Sequence, residues 1–168
     1  MKTARVLYQG QTLSAVESDG QLLLANGQRV GFDAVTWLPP LAPTPRPRTI
    51  LALGLNYADH AKELAFKAPE EPLVFIKGEG SLIGHRAQTR RPAGVAYMHY
   101  ECELVLRICK NGKYIQERHA SNYYNGITVG IDFTARDIQD ICKAKGLPWE
   151  KAKAFDNLAG FFEACANV

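Results

Sequence analysis

The segment Tyr100-Glu101-Cys102-Glu103-Leu104-Val105-Leu106 alternates as a β-strand does, yet it sends two carboxylates out of the same face. Tyr100, Cys102, Leu104, Leu106 and Ile108 share one side of it. Glu101, Glu103, Val105, Arg107 and Cys109 share the other. Adjacent like charges repel, and both resist desolvation. A strand that otherwise reads as buried tolerates them when a cation stands between. Asp132 ends the next apolar run, Ile127-Thr128-Val129-Gly130-Ile131, and supplies a third carboxylate. Three converging oxygen ligands, completed by water or substrate, describe a magnesium- or manganese-type site. The plain alternative is a solvated sheet face, on which Glu–Arg pairs are worth little. Asp132 and the motifs around it favour the cation.

With 168 residues, the chain holds one ordinary domain and a small appendage. Hydrophobic content of 46% and charged content of 22% exclude a disordered chain. No apolar run approaches the roughly 20 residues that span a bilayer. The N-terminal stretch Met1-Lys2-Thr3-Ala4-Arg5 opens no signal-peptide core. A cytoplasmic location without a membrane partner is therefore expected. The net charge of +3 is mild and comes without a dense basic run, so nucleic acid is not expected either. Cys102, Cys109, Cys142 and Cys165 form no C-x-x-C pair, which points to reduced thiols instead of zinc.

Turn signals at Gln9-Gly10, Ser18-Asp19-Gly20 and Asn26-Gly27 divide the first residues into strands over 4–9, 12–17 and 21–24. Residues 1–38 are predicted to form a small antiparallel β domain. Residues 39–48 hold five prolines and read as an extended linker. A second unit is predicted from 49 to 168. In it, strands are expected over 49–54, 72–77, 96–109 and 126–133, with helices over 56–64 and 119–125. Asn111-Gly112 predicts a type I′ hairpin returning through 113–116. Thr134 and Asp137 resemble a capping box opening a helix that runs to Lys145, with Gly146 beyond its end. Ile138, Ile141 and Cys142 form the predicted apolar stripe of that helix. Arg136 and Gln139 share another face.

Other polar groups admit two readings. His60 and Glu63, three apart on the first predicted helix, could hold a water for base catalysis, or could merely be surface neighbours. Lys153 could stabilise charge on an enolate, or be solvated. Lys77, at the end of Val74-Phe75-Ile76, could line a pocket rim or snorkel to the surface.

Taken together, these residues resemble the fumarylacetoacetate hydrolase family. The matching signatures are Gly54-Leu55-Asn56-Tyr57-Ala58-Asp59-His60, Val74-Phe75-Ile76-Lys77 and His99-Tyr100-Glu101-Cys102-Glu103-Leu104. Asp132-Phe133-Thr134-Ala135-Arg136-Asp137-Ile138-Gln139 and Gly146-Leu147-Pro148-Trp149 with Lys153 complete an ordered set across residues 49–157. The resemblance implies a mainly β (α+β) fold with a few short helices, a mixed β-roll that usually forms a homodimer, preceded by the small N-terminal β domain. Family members continue past Asn157 with further strands, so a C-terminally incomplete roll is expected here.

The resemblance also implies roles. Glu101, Glu103 and Asp132 would hold Mg²⁺ or Mn²⁺. Arg136, Gln139 and Lys77 would bind a small 2-oxo acid, Lys153 would be catalytic, and His60 and Glu63 would sit on a mobile lid that brings a base and water. Residues 1–105 resemble the decarboxylase/isomerase branch of homoprotocatechuate (4-hydroxyphenylacetate) breakdown, and residues 106–157 the acylpyruvate hydrolases. The expected function is metal-dependent decarboxylation and keto–enol isomerisation of 2-oxo di- or tricarboxylates through a stabilised enolate, the work of a lyase and isomerase. Hydrolysis of a fumarylpyruvate-type acylpyruvate, cleaving a C–C bond, is the alternative. A truncated, inactive family member is the third.

Overall fold

The computed structural model describes residues 2–39, 49–57, 70–156, 159–161 and 165–167. The N-terminal strands β1 (Lys2–Tyr8), β2 (Gln11–Ser18), β3 (Gln21–Leu24) and β4 (Arg29–Val30) pair in sequence, each antiparallel to the last. Gln9-Gly10 and Asp19-Gly20 both take positive φ at two successive residues, the geometry that suits the twist of a tight hairpin. Strand β5 (Thr36–Leu38) returns along β1. Val6, Ala15, Leu22, Leu24, Val30 and Trp37 form a buried cluster between these strands. The proline segment 40–48 lies outside the described residues.

Two strands, β6 (Ile50–Gly54) and β7 (Leu73–Lys77), form a separate antiparallel ribbon. Short β8 (Leu82–Ile83) follows. The longest pair is β9 (Met98–Ile108) against β10 (Tyr124–Ala135). Helix α1 (Arg136–Lys145) leaves the end of β10 directly, and α2 (Glu150–Lys153) follows one turn later. Strands β11 (Ala159–Phe161) and β12 (Cys165–Asn167) lie along the other edge of β10. β12 also pairs with β1, so the N-terminal strands join the same sheet. β11 runs parallel to β8 while the other described pairs are antiparallel, which makes the sheet mixed. The fold is mainly β with few helices.

Four sequence expectations change. Asn111-Gly112 makes no hairpin: residues 109–116 form a loop leading into the 3₁₀ turn Glu117–Tyr123. The edge of β9 that a returning strand would occupy is taken by β10, and Cys109 N–H donates to Tyr123 O at 2.9 Å to close that connection. Gly112 is packed against Ile115 and Tyr123 and leaves no room for a Cβ.

Thr134 does not cap α1. It is still paired with His99 in the β ladder, and Ala135 occupies the cap position. Asp137, the expected partner in that cap, accepts the Ala96 N–H at 2.7 Å and ties the chain before β9 to α1. The inward face of α1 carries Arg136, Gln139 and Cys142, while Ile141 is exposed. Gly146 does end the helix, in the left-handed conformation, with its N–H donating to Lys143 O.

Finally, β9 is not buried on its apolar side. Tyr100 (79% exposed), Leu104, Leu106 and Ile108 face outward with Val129 of β10, and the glutamate side is the better covered of the two. Within the described residues, α1, α2 and the β6–β7 ribbon gather on the glutamate side, so burial there follows the polar residues.

Candidate metal centre and substrate cleft

The register of β9 against β10 assembles the acidic cluster. Asp132 stands directly opposite Glu101, and Glu103 stands opposite Gly130. Paired residues in an antiparallel ladder project to the same face, and so do residues two apart. The three carboxylates are therefore forced together, with no side chain at Gly130 to separate them. One oxygen from each lies within 4.8 Å of the others.

Cations surround the cluster. Lys153, at the end of α2, places Nζ 2.6 Å from Glu101 Oε2 and 2.6 Å from Asp132 Oδ2. Lys77, at the end of β7, lies 2.7 Å from Asp132 Oδ1 and donates to the Lys153 carbonyl. Arg136 at the start of α1 reaches Glu101 Oε1 at 2.5 Å with Nη2, and donates to Gln139 Oε1 with Nη1. Its Nε donates to His99 Nδ1 at 3.1 Å. Three polar positions, Lys77, Asp132 and Lys153, are only 3–5% exposed.

Burial pushes the Glu103 carboxyl up from 4.5 to about 7, and the neighbouring Asp132 adds to the rise while Lys153 opposes it. Burial also draws the Lys77 ammonium below its usual 10.5, with Asp132 holding it partly up. Both shifts report groups whose charge is short of compensation.

The donor set fits a hard divalent cation. It offers three carboxylates from two strands and no sulfur or imidazole within the cluster. Asp132 Oδ1, though buried and beside Lys77, accepts no well-aligned hydrogen bond among the described residues. Glu103 carries a charge that its surroundings disfavour, and a cation would relieve it.

The cluster opens into a cleft of ≈ 380 Å³, counting the solvent at its mouth. Glu101, Glu103, Arg136, Gln139 and Lys153 line it together with Leu53, Leu55, Tyr57, Lys143 and Trp149. Trp149 packs its ring 5.9 Å from that of Phe75, and the Lys153 ammonium lies 5.1 Å from the Phe75 ring centre. These contacts fix α2 against the β6–β7 ribbon. Tyr57 Oη accepts the Leu104 N–H at 3.1 Å, fastening the chain beyond β6 to the edge of β9 away from β10.

The structure thus brings together Glu101, Glu103, Asp132, Arg136, Gln139, Lys153 and Lys77. His60 and Glu63 lie outside the described residues. Sequence reasoning missed Lys143, Tyr57 and the bond from Arg136 to His99. Lys143 follows Arg136 by seven residues, two helical turns, and that spacing alone places both on one face.

Residues 49–161 match the family model described as the fumarylacetoacetate (FAA) hydrolase C-terminal domain. The chain belongs to the fumarylacetoacetate hydrolase family. Among curated family proteins, it is 50% identical over 98 residues to the homoprotocatechuate catabolism bifunctional isomerase/decarboxylase of Escherichia coli, covering 58% of this chain and 23% of that one. It is 41% identical over 118 residues to oxaloacetate tautomerase YcgM of Escherichia coli K12, covering 68% and 54%. A solved structure of fumarylpyruvate hydrolase from Pseudomonas aeruginosa, in complex with Mn²⁺ and pyruvate, superposes with a TM-score of 0.66 at 32% identity, over 77% of this chain and 55% of that one. The chain thus spans about a quarter to a half of the length of these relatives. Family enzymes of this kind include isomerases, decarboxylases, tautomerases and a hydrolase. No helix among the described residues is long and apolar enough to cross a membrane.

Proposed function

We propose that the cleft binds a 2-oxo di- or tricarboxylate of homoprotocatechuate (4-hydroxyphenylacetate) catabolism and promotes its decarboxylation and keto–enol isomerisation. The observation that carries this reading is the convergence of three carboxylates, two of which, Glu101 and Glu103, line one open cleft with Arg136, Gln139 and Lys153. Glu101, Glu103 and Asp132 would hold Mg²⁺ or Mn²⁺. When bound there, the ion supplies Lewis acidity toward a 2-oxo acid.

The remaining chemistry belongs to side chains. Arg136 presents a planar fork, held from behind by His99 and Gln139, that suits a substrate carboxylate. The Lys153 ammonium, which donates to Glu101 and Asp132, would give its remaining proton to the substrate's 2-oxo oxygen as negative charge develops there. Stabilising that charge lowers the barrier to an enolate. Protonation at carbon or oxygen then gives the keto or enol form, and breaking the C–C bond to a carboxylate β to the 2-oxo carbon releases CO₂ and leaves the bond's electron pair as the same kind of enolate. Isomerisation, decarboxylation and tautomerisation, the activities in the relatives' names, are reactions that an enolate can connect.

Hydrolysis of a fumarylpyruvate-type acylpyruvate is the second reading. The 32% identity to fumarylpyruvate hydrolase over 77% of the chain favours it, as does His60 if it activates water. Assays of both substrate classes with Mg²⁺ and Mn²⁺ separate the two. Enol–keto conversion and CO₂ release that survive His60→Ala support the first. Acid release from an acylpyruvate that His60→Ala abolishes supports the second. A homodimer is part of the proposal, and sedimentation velocity showing a monomer at tens of micromolar would remove it. No melting-temperature shift with millimolar metal would favour an inactive chain.

A further inference from the structure

Leu55 adopts the left-handed backbone conformation, with φ +56°. A leucine there crowds its Cβ against the backbone, so the conformation costs free energy that a glycine would be spared. Five non-glycine residues among the described residues have positive φ. Gln9 and Asp19 belong to the tight hairpins of the N-terminal strands, and of Leu55, Arg86 and Tyr114 only Leu55 lines the cleft. Strain of this kind persists only where the surroundings over-determine it. Both ends of the segment are fixed. Gly54, the last residue of β6 to pair with β7, lies so close to Leu73 and Trp149 that no Cβ fits. Three residues on, Tyr57 Oη accepts the Leu104 N–H at 3.1 Å. The left-handed step between these anchors lays the chain along the cleft. Leu53, Gly54, Leu55, Asn56 and Tyr57 all line it, whereas an extended strand would turn alternate residues away.

We infer that Leu55 is a specificity-determining residue, held in its strained conformation to set an apolar wall against the carbon chain of a 2-oxo acid whose oxygens lie at the Glu101–Glu103–Asp132 cluster. This rests on the 2-oxo acid reading of the cleft and adds to it the feature that selects substrates by the length of that chain. Leu53 and Trp149 line the same cleft and extend the apolar surface beside Leu55. Each methylene that leaves water for such a surface gains affinity, and the gain is independent of the charged groups that hold the oxygens. A glycine at position 55 would take the same backbone turn without strain, but would leave that part of the wall bare.

Calorimetric titration of the Mn²⁺-loaded full chain with oxalate, pyruvate, 2-oxobutyrate and 2-oxovalerate tests the assignment. Oxalate engages the cluster alone, and the 2-oxo acids lengthen by one methylene at each step. The wild-type chain is expected to gain about 3-fold in affinity per methylene. Leu55→Gly is expected to reduce that gain to within about 1.5-fold while leaving oxalate affinity unchanged, and Leu55→Met to keep most of it. Without ligand, Leu55→Gly should melt no more than about 3 °C below wild type, because relief of strain offsets the added freedom of the unfolded chain. A larger drop marks a leucine held for packing and overturns the inference. So does a methylene gain that is missing from wild type or unchanged in Leu55→Gly, or an equal loss for oxalate. Failure of the wild-type chain to bind oxalate at all overturns the 2-oxo acid reading and this inference with it.

Discussion

Replacing Glu103 by glutamine should stabilise the metal-free protein above neutral pH. Glu103 is half-buried beside Asp132, and its carboxyl titrates near 7 in the fold, against 4.5 for the unreacted group. The folded state thus holds a proton that the unfolded chain releases. Stability is fully present below pH 4.5 and is lost as pH rises through 7, after which it levels off. Were the group wholly out of water, that shift would correspond to about 3 kcal/mol. Solvent reaches one side of Glu103, so about 1–2 kcal/mol is the better figure. Glu103→Gln keeps the shape and removes the charge. In a chelating buffer at pH 8 its melting temperature should exceed that of wild type by about 3–6 °C. At pH 4.5 the difference should shrink to near zero. Adding Mn²⁺ should reverse the order, because wild type gains about 2.7 kcal/mol at a hundred times its Kd and the variant loses a ligand. A variant no more stable than wild type at pH 8 under chelation would refute the crowded-carboxylate account.

Lys153→Met should destabilise the chelated protein by about 3 kcal/mol in denaturant titration, because Glu101 and Asp132 lose a cation that is itself buried. Added Mg²⁺ should restore part of that loss. Arg136→Lys should raise the KM for 2-oxo acids about 10-fold with a smaller change in kcat, since a point charge cannot reproduce the fork held by His99 and Gln139. Gly54→Ala would place a Cβ 2.8 Å from Leu73 Cδ2 and 2.9 Å from Trp149 Cζ3. Overpacking there should cost about 1–3 kcal/mol in a thermal melt, and the cleft wall should loosen with it.

Much of the candidate site was legible because strand geometry is local. The alternation at Glu101 and Glu103 places both side chains on one face whatever surrounds them. The three-residue spacing of Arg136 and Gln139 does the same on a helix. Where local signals failed, a long-range partner had taken the place they pointed to. Asn111-Gly112 has the composition of a hairpin, but β10 already occupies the edge of β9. Thr134 has the composition of a cap, but the ladder with His99 keeps it in β10. The stripe Ile138–Ile141 would be inward on an ordinary amphipathic helix. Here the sheet beneath α1 is acidic, so the helix turns Arg136 and Gln139 down to it.

By itself, the sequence determined the longer strands, which residues of β9 share a face, the end of α1 at Gly146 and the family to which the chain belongs, because each depends on residues near one another in the chain or on an ordered set of motifs. It could not determine that Asp132 stands opposite Glu101, that Lys153 bridges them, or that Lys77 lies beneath. Those placements join β7, β9, β10 and α2, segments separated by up to 76 residues. Register and packing decide them, and with them which charges share one desolvated space and how strongly each is perturbed.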